Sequence, residues 1–251
     1  LKEKTATEAA LQQAQDELSD AYEKAQRRAQ FAEQMVAIVS HDLKNPLTAI
    51  KMASDILARS ERTARETTLL GHISQSSERA QRMIADLLDF ALARVGQGLS
   101  IAVAPADLHG VTRLSVDELR VAFPAANLIH QESGSGSALL DGDRVQQIIG
   151  NLVANSVAYG DPLQPVIITS RIEHHTAILS VHNQGPAIPP SLMDVLFEPM
   201  TRGTDSDSEV RSVGLGLFIV REIAKAHGGD VGVQSSEEGG TEFSVYFPHS
   251  L

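Results

Sequence analysis

The sequence predicts an α segment followed by an α+β domain. The first is a coiled coil leading to a dimeric four-helix bundle with two helices per chain; the second is an α/β sandwich. Three observations carry this. Apolar or small residues recur in heptads through the first third of the chain. A second helical stripe follows after a polar connection. Beyond Leu99 the pattern changes to short alternating segments between helices, punctuated by Gly and Pro.

Residues 1–59 read as one helix. Leu11, Leu18, Ala25, Ala32 and Val39 occupy d positions; Tyr22, Ala29, Val36 and Leu43 occupy a positions. At 1.5 Å per residue such a helix is about 85 Å long. Alone it cannot bury its stripe, so it pairs with a second copy of itself, and the Ala-rich seam suits a signal-transmitting rod. The apolar pattern continues through Leu47, Ile50, Ala53 and Leu57, and residues 59–66 form a polar connection. A second helix over 66–94 carries Leu69, Ile73, Ala80, Ile84, Leu87 and Ala91, widened by Leu70, Met83 and Leu88. Two antiparallel helices per chain, doubled, make the bundle, which Gly96-Gln97-Gly98 ends.

In the remainder, strands are expected at 100–104, 128–131, 138–140, 166–172, 177–182, 231–234 and 242–247, with a hairpin through His174-His175. Asp107 caps a helix to about Phe123, and Asp143 caps another to about Tyr159. A short helix covers 191–196, the acidic stretch 200–212 reads as a mobile loop, and a glycine-opened helix covers 215–226. Helices on one face of a mixed sheet give the α+β layering. The domain boundaries are a coiled-coil signalling helix at 1–35, a helical hairpin at 36–96 and the α/β domain at 99–251.

Composition narrows the function. The chain has 251 residues, 42% of them hydrophobic, enough for two domains with a core. A net charge of −11 disfavours nucleic acid and membrane surfaces as partners. Without Cys there is neither a disulfide framework nor a thiolate metal site. No apolar run approaches bilayer length and no signal peptide appears; the expected location is cytoplasmic, as the cytoplasmic portion if the parent protein is membrane-bound. The chain starts at Leu1 inside a helical pattern, and is expected to be a fragment whose N-terminal part has been cut away.

The chemistry centres on Ser40-His41-Asp42-Leu43-Lys44-Asn45-Pro46-Leu47. Pro46 has no N–H, so the carbonyl of Asp42 loses its helical partner and the helix bends there. Asn45, one turn on, shares a face with His41. The heptad leaves His41 at an f position, away from the seam where a core histidine would sit. A nucleophilic imidazole, a neighbouring carboxylate, an amide and a hinge are thus adjacent. The octapeptide resembles the phospho-accepting box of sensor histidine kinases, the enzymes of two-component signalling.

Four later stretches resemble, in order, the boxes of the nucleotide-binding fold that histidine kinases share with Hsp90, type II topoisomerases and mismatch-repair ATPases. In Asn151-Leu152-Val153-Ala154-Asn155 two amides lie on one helical face. The resemblance implies that Asn155 holds Mg²⁺ on the phosphates, with Asn151, Gln147 and Tyr159 lining the pocket. Two surface amides are the plain alternative. Ala158 replaces a Lys common in the family. The second box is His182-Asn183-Gln184-Gly185-Pro186-Ala187-Ile188, where Asn183 stands for the family's adenine-binding Asp and Ala187 for a Gly. Gly185 and Ile188 complete it. The third is Leu196-Phe197-Glu198-Pro199 with Arg202-Gly203; Phe197 borders the nucleotide and Arg202 reaches toward the γ-phosphate, although an exposed loop Arg is equally compatible with the residue alone. The fourth is Gly214-Leu215-Gly216-Leu217, glycines opening a helix whose N–H groups favour an anion. Gly240-Thr241-Glu242-Phe243 matches the last box, Thr241 at its nucleotide edge. The remaining histidines show no ligand spacing.

The resemblance implies an autokinase using ATP and Mg²⁺, with His41, Asp42 and Asn45 as catalytic residues. Its partners would be a second copy, as homodimer, a missing upstream sensor domain in the same chain, and the receiver domain of a response regulator, for which a phosphatase activity through Asn45 is also implied. The alternative is a degenerate or phosphatase-biased dimeric scaffold with weak ATP binding, motivated by Asn183, Ala187 and Ala158. An ATPase of the same fold without phosphotransfer leaves the octapeptide unexplained.

Overall fold

The computed structural model describes residues 15, 43, 47–57, 63–94, 98–173, 176–199 and 214–248. The chain divides into two compact units, Leu1–Gln97 and Gly98–Leu251.

In the first unit, α1 (47–57) and α2 (Ala64–Arg94) form an antiparallel hairpin. Gln81 donates to Thr48 Oγ1 at 3.0 Å, Lys51 pairs with Glu78, and Ser54 Oγ donates to the Leu70 carbonyl at 2.9 Å. The second helix starts earlier than expected, because residues 63–66 are a capping box rather than a polar connection. Thr63 Oγ1 accepts from Glu66 N at 3.3 Å while Glu66 Oε2 accepts from Thr63 N at 2.9 Å, satisfying two helix-end donors reciprocally. Leu70 is buried, but Ile50, Ile56, Leu69, Ile73, Met83 and Leu87 are exposed on the single chain. The octapeptide core His41, Asp42, Asn45 and Pro46, and the heptads before it apart from Leu43, lie outside the described residues.

In the second unit the elements run β1 (Ala104–Ala106), α3 (Leu108–Ala122), β2 (Leu128–Ser133), β3 (Ala138–Leu140), α4 (Gly142–Tyr159), β4 (Val166–Glu173), β5 (Thr176–Asn183), α5 (Pro190–Met193), α6 (Gly216–Ala226), β6 (Asp230–Ser236) and β7 (Gly240–Pro248). The main sheet has the order β2-β4-β5-β7-β6, with β2 and β4 parallel and every other pair antiparallel. Strands β1 and β3 form a separate ribbon. Alternation in β4 and β7 sends Val166, Ile168, Phe243, Val245 and Phe247 inward, where α3, α4 and α6 cover them with Val116, Ile148, Leu152, Ile219 and Ile223. The opposite face carries Thr169, Arg171, Ser180, Glu242 and Ser244 around a shallow depression of about 100 Å³.

Several element ends differ from expectation. Asp141, not Asp143, caps α4: its backbone is extended (φ −89°, ψ 106°) and its Oδ1 accepts from Arg144 N at 3.2 Å, which leaves Asp143 inside the first turn. The first strand lies at Ala104–Ala106 rather than 100–104, because its register is set by pairing with β3. α5 stops at Met193, and α6 begins at Gly216, with Leu215 as its cap residue. The β4–β5 pair continues to Glu173↔Thr176, and the turn residues His174-His175 lie outside the described residues.

Two histidines expected to be bland are built into the interior. Ser170, fully buried on β4, lies 2.6 Å from His109 Nδ1 of α3 and 2.9 Å from His130 Nε2 of β2. Burial pushes the His130 imidazole below its ordinary value, against the pull of Glu132.

Candidate functional site

The site is assembled from two helices and the ends of three strands. Gln147, Asn151 and Asn155 follow at helical spacing on one half-buried face of α4. Gln147 Oε1 accepts from Arg144 Nη1 at 2.8 Å. Asn151 Nδ2 donates to the Gly216 carbonyl at 3.3 Å, which brings the amide face of α4 to the start of α6.

That helix start is prepared for an anion. Gly214 has φ +74°, Leu215 is buried beneath it, and among the described residues no side chain caps α6. The N–H groups that open this 11-residue helix, those of Leu215, Gly216 and Leu217, therefore have no intrahelical partner.

A second group forms where β5, β6 and β7 end. Asn183 and Thr241 stand opposite each other in the β5–β7 register, and both are buried. Thr241 Oγ1 and Ser235 Oγ are 2.7 Å apart, and Ser235 Oγ accepts from Ile188 N at 2.9 Å. Asn183 Nδ2 donates to the Gln184 carbonyl at 3.2 Å, and that carbonyl also accepts from Asp161 N at 2.7 Å. This crossing ties the β5 exit to the end of α4. A Cβ on Gly185 would stand 3.0 Å from the Tyr159 carbonyl, while the Tyr159 side chain itself is exposed. Gly240 has φ +70°, and a Cβ there would stand 2.3 Å from the Asn183 carbonyl. Glycine is what lets the β6–β7 turn close over Asn183.

The third box docks on this frame. Phe197 meets Phe243 edge to face at 6.2 Å, and Glu198 Oε1 accepts from Arg221 Nη1 and Nη2 of α6 at 3.1 and 3.2 Å.

The structure thus brings Asn151 to Gly216, with Gln147 and Asn155 on the same face of α4; it sets Asn183 opposite Thr241, joins Ile188 to Thr241 through Ser235, and lays Gly185 against Tyr159. His41, Asp42, Asn45 and Arg202 lie outside the described residues. Sequence reasoning did not select Ser235, which joins Ile188 to Thr241, nor Ser156, next to Asn155, whose buried hydroxyl has no hydrogen-bond partner among the described residues. Ser156 was findable as the polar residue on a helical face that is otherwise Leu, Val and Ile.

The donor set fits a nucleotide. Uncapped N–H groups suit phosphate, neutral amides approach it without repulsion, and Asn183 and Thr241 offer polar atoms to a base. Asn155 supplies one neutral oxygen, which suits Mg²⁺ whose other ligands are phosphate oxygens and water. Among the described residues no cluster of three His, Asp or Glu forms a metal site of its own.

Comparison with known proteins places these features. Residues 31–96 match the family described as His Kinase A (phospho-acceptor) domain, and residues 140–251 match the histidine kinase-, DNA gyrase B-, and HSP90-like ATPases. A bacteriophytochrome of Pseudomonas aeruginosa is 32% identical over 207 residues, covering 82% of this chain and 28% of the relative. The probable sensor histidine kinase TcrY of Mycobacterium tuberculosis is 32% identical over 248 residues, covering 95% of this chain and 50% of its own length. The chain therefore spans half or less of these two relatives. The crystal structure of full-length ShkA in complex with AMPPNP superposes with a TM-score of 0.65 at 25% identity, over 86% of this chain and 46% of that one. No helix among the described residues is long and apolar enough to cross a membrane.

Proposed function

Since the chain belongs to the histidine kinases of two-component systems, we propose that it is an ATP-dependent autokinase that phosphorylates His41 and passes the phosphoryl group to an Asp of a response regulator. The observation that carries the nucleotide half is the 3.3 Å bond from Asn151 to the Gly216 carbonyl, which sets the amide face of α4 beside the start of α6.

Bound ATP with Mg²⁺ supplies the phosphoryl group and neutralises its charge. The N–H groups of 214–217 receive phosphate oxygens; Asn155 holds the cation, and Asn183, with Thr241 behind it, receives the base edge. Arg202 adds positive charge at the γ end. His41 attacks phosphorus through one neutral ring nitrogen as ADP leaves, and Asp42 accepts the hydrogen bond of the other nitrogen, steadying the imidazolium. Catalysis is positioning and charge neutralisation. The apolar residues left exposed on α1 and α2 support a homodimer closed through them.

A second reading, a scaffold biased toward dephosphorylating the regulator with Asn45 placing water, is favoured by Asn183. It is neutral where the family has a carboxylate, and its Nδ2 already donates to Gln184. Incubation with γ-labelled ATP and Mg²⁺, wild type beside His41→Gln, decides. Acid-labile, base-stable label absent from the variant supports the kinase. ATP binding without label supports the second reading, and label retained in His41→Gln refutes His41 as acceptor.

A further inference from the structure

We propose that His227 is a positioning residue for the two nucleotide-bearing helices: its neutral imidazole ties the start of α4 to the end of α6, and protonation releases that tie. The inference rests on the reading that α4 and α6 hold the nucleotide.

His227 is the cap residue of α6. Its Nδ1 lies 2.8 Å from the Ile223 carbonyl, and its Nε2 receives the Asp141 N–H at 3.0 Å. A carbonyl only accepts and a backbone N–H only donates. Nδ1 must therefore carry the hydrogen and Nε2 must present its lone pair, so both bonds exist only in the neutral ring. The ring is held edge-on against Phe247 of β7 at 5.3 Å.

The place of this bond gives it leverage. Asp141 begins α4 and His227 ends α6, while Asn151, further along α4, bonds Gly216 at the opposite end of α6. The helices run antiparallel, and a side-chain bond ties α4 to each end of α6. One of those bonds is in the nucleotide site; the other is His227.

Asp141 couples the bond to the helix cap. Its Oδ1 accepts from Arg144 N at 3.2 Å and its Oδ2 from Ala102 N at 2.7 Å. Burial pushes this carboxyl up, yet the two N–H donors and the nearby charges outweigh it and hold the carboxyl below its ordinary value. On the α4 side the charged groups near the ring are Asp141 and Arg144. On α6, Lys225 pairs with Glu222 at 2.9 Å; from β7, Phe247 brings no charge; on β6, Asp230 accepts from Val231 N at 2.8 Å. A proton on Nε2 would oppose two donors, ring N–H against Asp141 N–H. The Asp141 carboxylate, which feels the charge of His227, caps α4, and drawing it toward an imidazolium uncaps the helix that carries Asn151 and Asn155.

The test uses the full chain. In long-range ¹H–¹⁵N spectra at pH 8, the His227 signals, assigned by their loss in His227→Gln, are expected to show the Nδ1–H tautomer. An Nε2–H tautomer overturns the proposal. Binding of ATP with Mg²⁺ is then measured by calorimetry at pH 8 and pH 6. Wild type is expected to weaken at pH 6, by no more than the about three- to tenfold that one lost hydrogen bond sets. His227→Gln, whose amide can donate to Ile223 and accept from Asp141 at either pH, is expected to stay near the wild-type pH 8 value throughout. His227→Ala is expected to be weak at both. A Gln variant that keeps the wild-type pH dependence overturns the proposal, as does an Ala variant that binds like wild type. Wild type that binds no ATP at pH 8 overturns the nucleotide reading and the positioning role together, and that failure differs from the others because the pH and variant comparisons then show no binding at all.

Discussion

Replacing Gly240 by Ala tests the account of the base-side group. Gly240 has φ +70°, where an L side chain costs about 1–2 kcal/mol. The added Cβ would stand 2.3 Å from the Asn183 carbonyl oxygen, 3.1 Å from its carbon and 3.1 Å from Gln184 Cα. All three atoms are backbone, so no rotamer change relieves the contact; the β6–β7 turn or the β5 exit must move. Overpacking of this kind costs about a further 1–3 kcal/mol. The expected loss is about 2–5 kcal/mol, read by urea unfolding followed through tyrosine fluorescence, since Tyr159 and Tyr246 both lie in the second unit. ATP binding should weaken as well, because the displaced strand end carries Asn183 opposite Thr241. Gly150→Ala is the matched control. It lies inside α4 with no atom within 4 Å of the new Cβ, so it should gain about 0.5–1 kcal/mol of stability from helix propensity. A Gly240→Ala protein within about 0.5 kcal/mol of wild type would refute the close-approach argument.

Two further outcomes follow from the same geometry. Thr63→Ala removes one half of the capping box at the start of α2 and should cost about 0.5–2 kcal/mol, whereas Glu66→Gln, which keeps an acceptor, should cost less; equal losses would mean the box is not what holds the helix start. His130 is held below its ordinary value by burial, so the unfolded chain takes up the proton first. Its contribution is complete above about pH 6.5 and is lost as the pH falls below that. Melting temperatures from pH 8 to pH 5 should therefore fall less steeply in His130→Gln than in wild type, and an unchanged slope would show that His130 does not set it.

Much of the architecture was legible because it rests on periodic burial. The stripe from Leu69 to Ala91 announces α2, and the alternation through 166–172 announces β4, since a face must be apolar to be covered. Boundaries were less legible. Asp143 and Asp141 are chemically equivalent candidates for a cap, and only the backbone angle at Asp141 makes it the one whose carboxylate meets Arg144 N. The capping box at Thr63 and Glu66 was present as a spacing but was masked by the polar residues around it.

For the site, local sequence determined which groups exist: amides four apart on α4, glycines at the opening of α6, a Gly before Thr241. These are properties of short stretches, fixed by helical spacing and by the absence of a Cβ. Tertiary structure decided how they meet. Ser235 joins Ile188 to Thr241 across 47 and 6 residues of chain, and His227 reaches Asp141 across 86. Ser170, unremarkable in sequence, bridges two histidines 61 and 40 residues away. No local pattern encodes such pairs, because hydroxyls and imidazoles are equally stable in water. They find partners only when the packing of α3, α4 and α6 on the sheet removes the water, and an unpaired polar group then becomes costly.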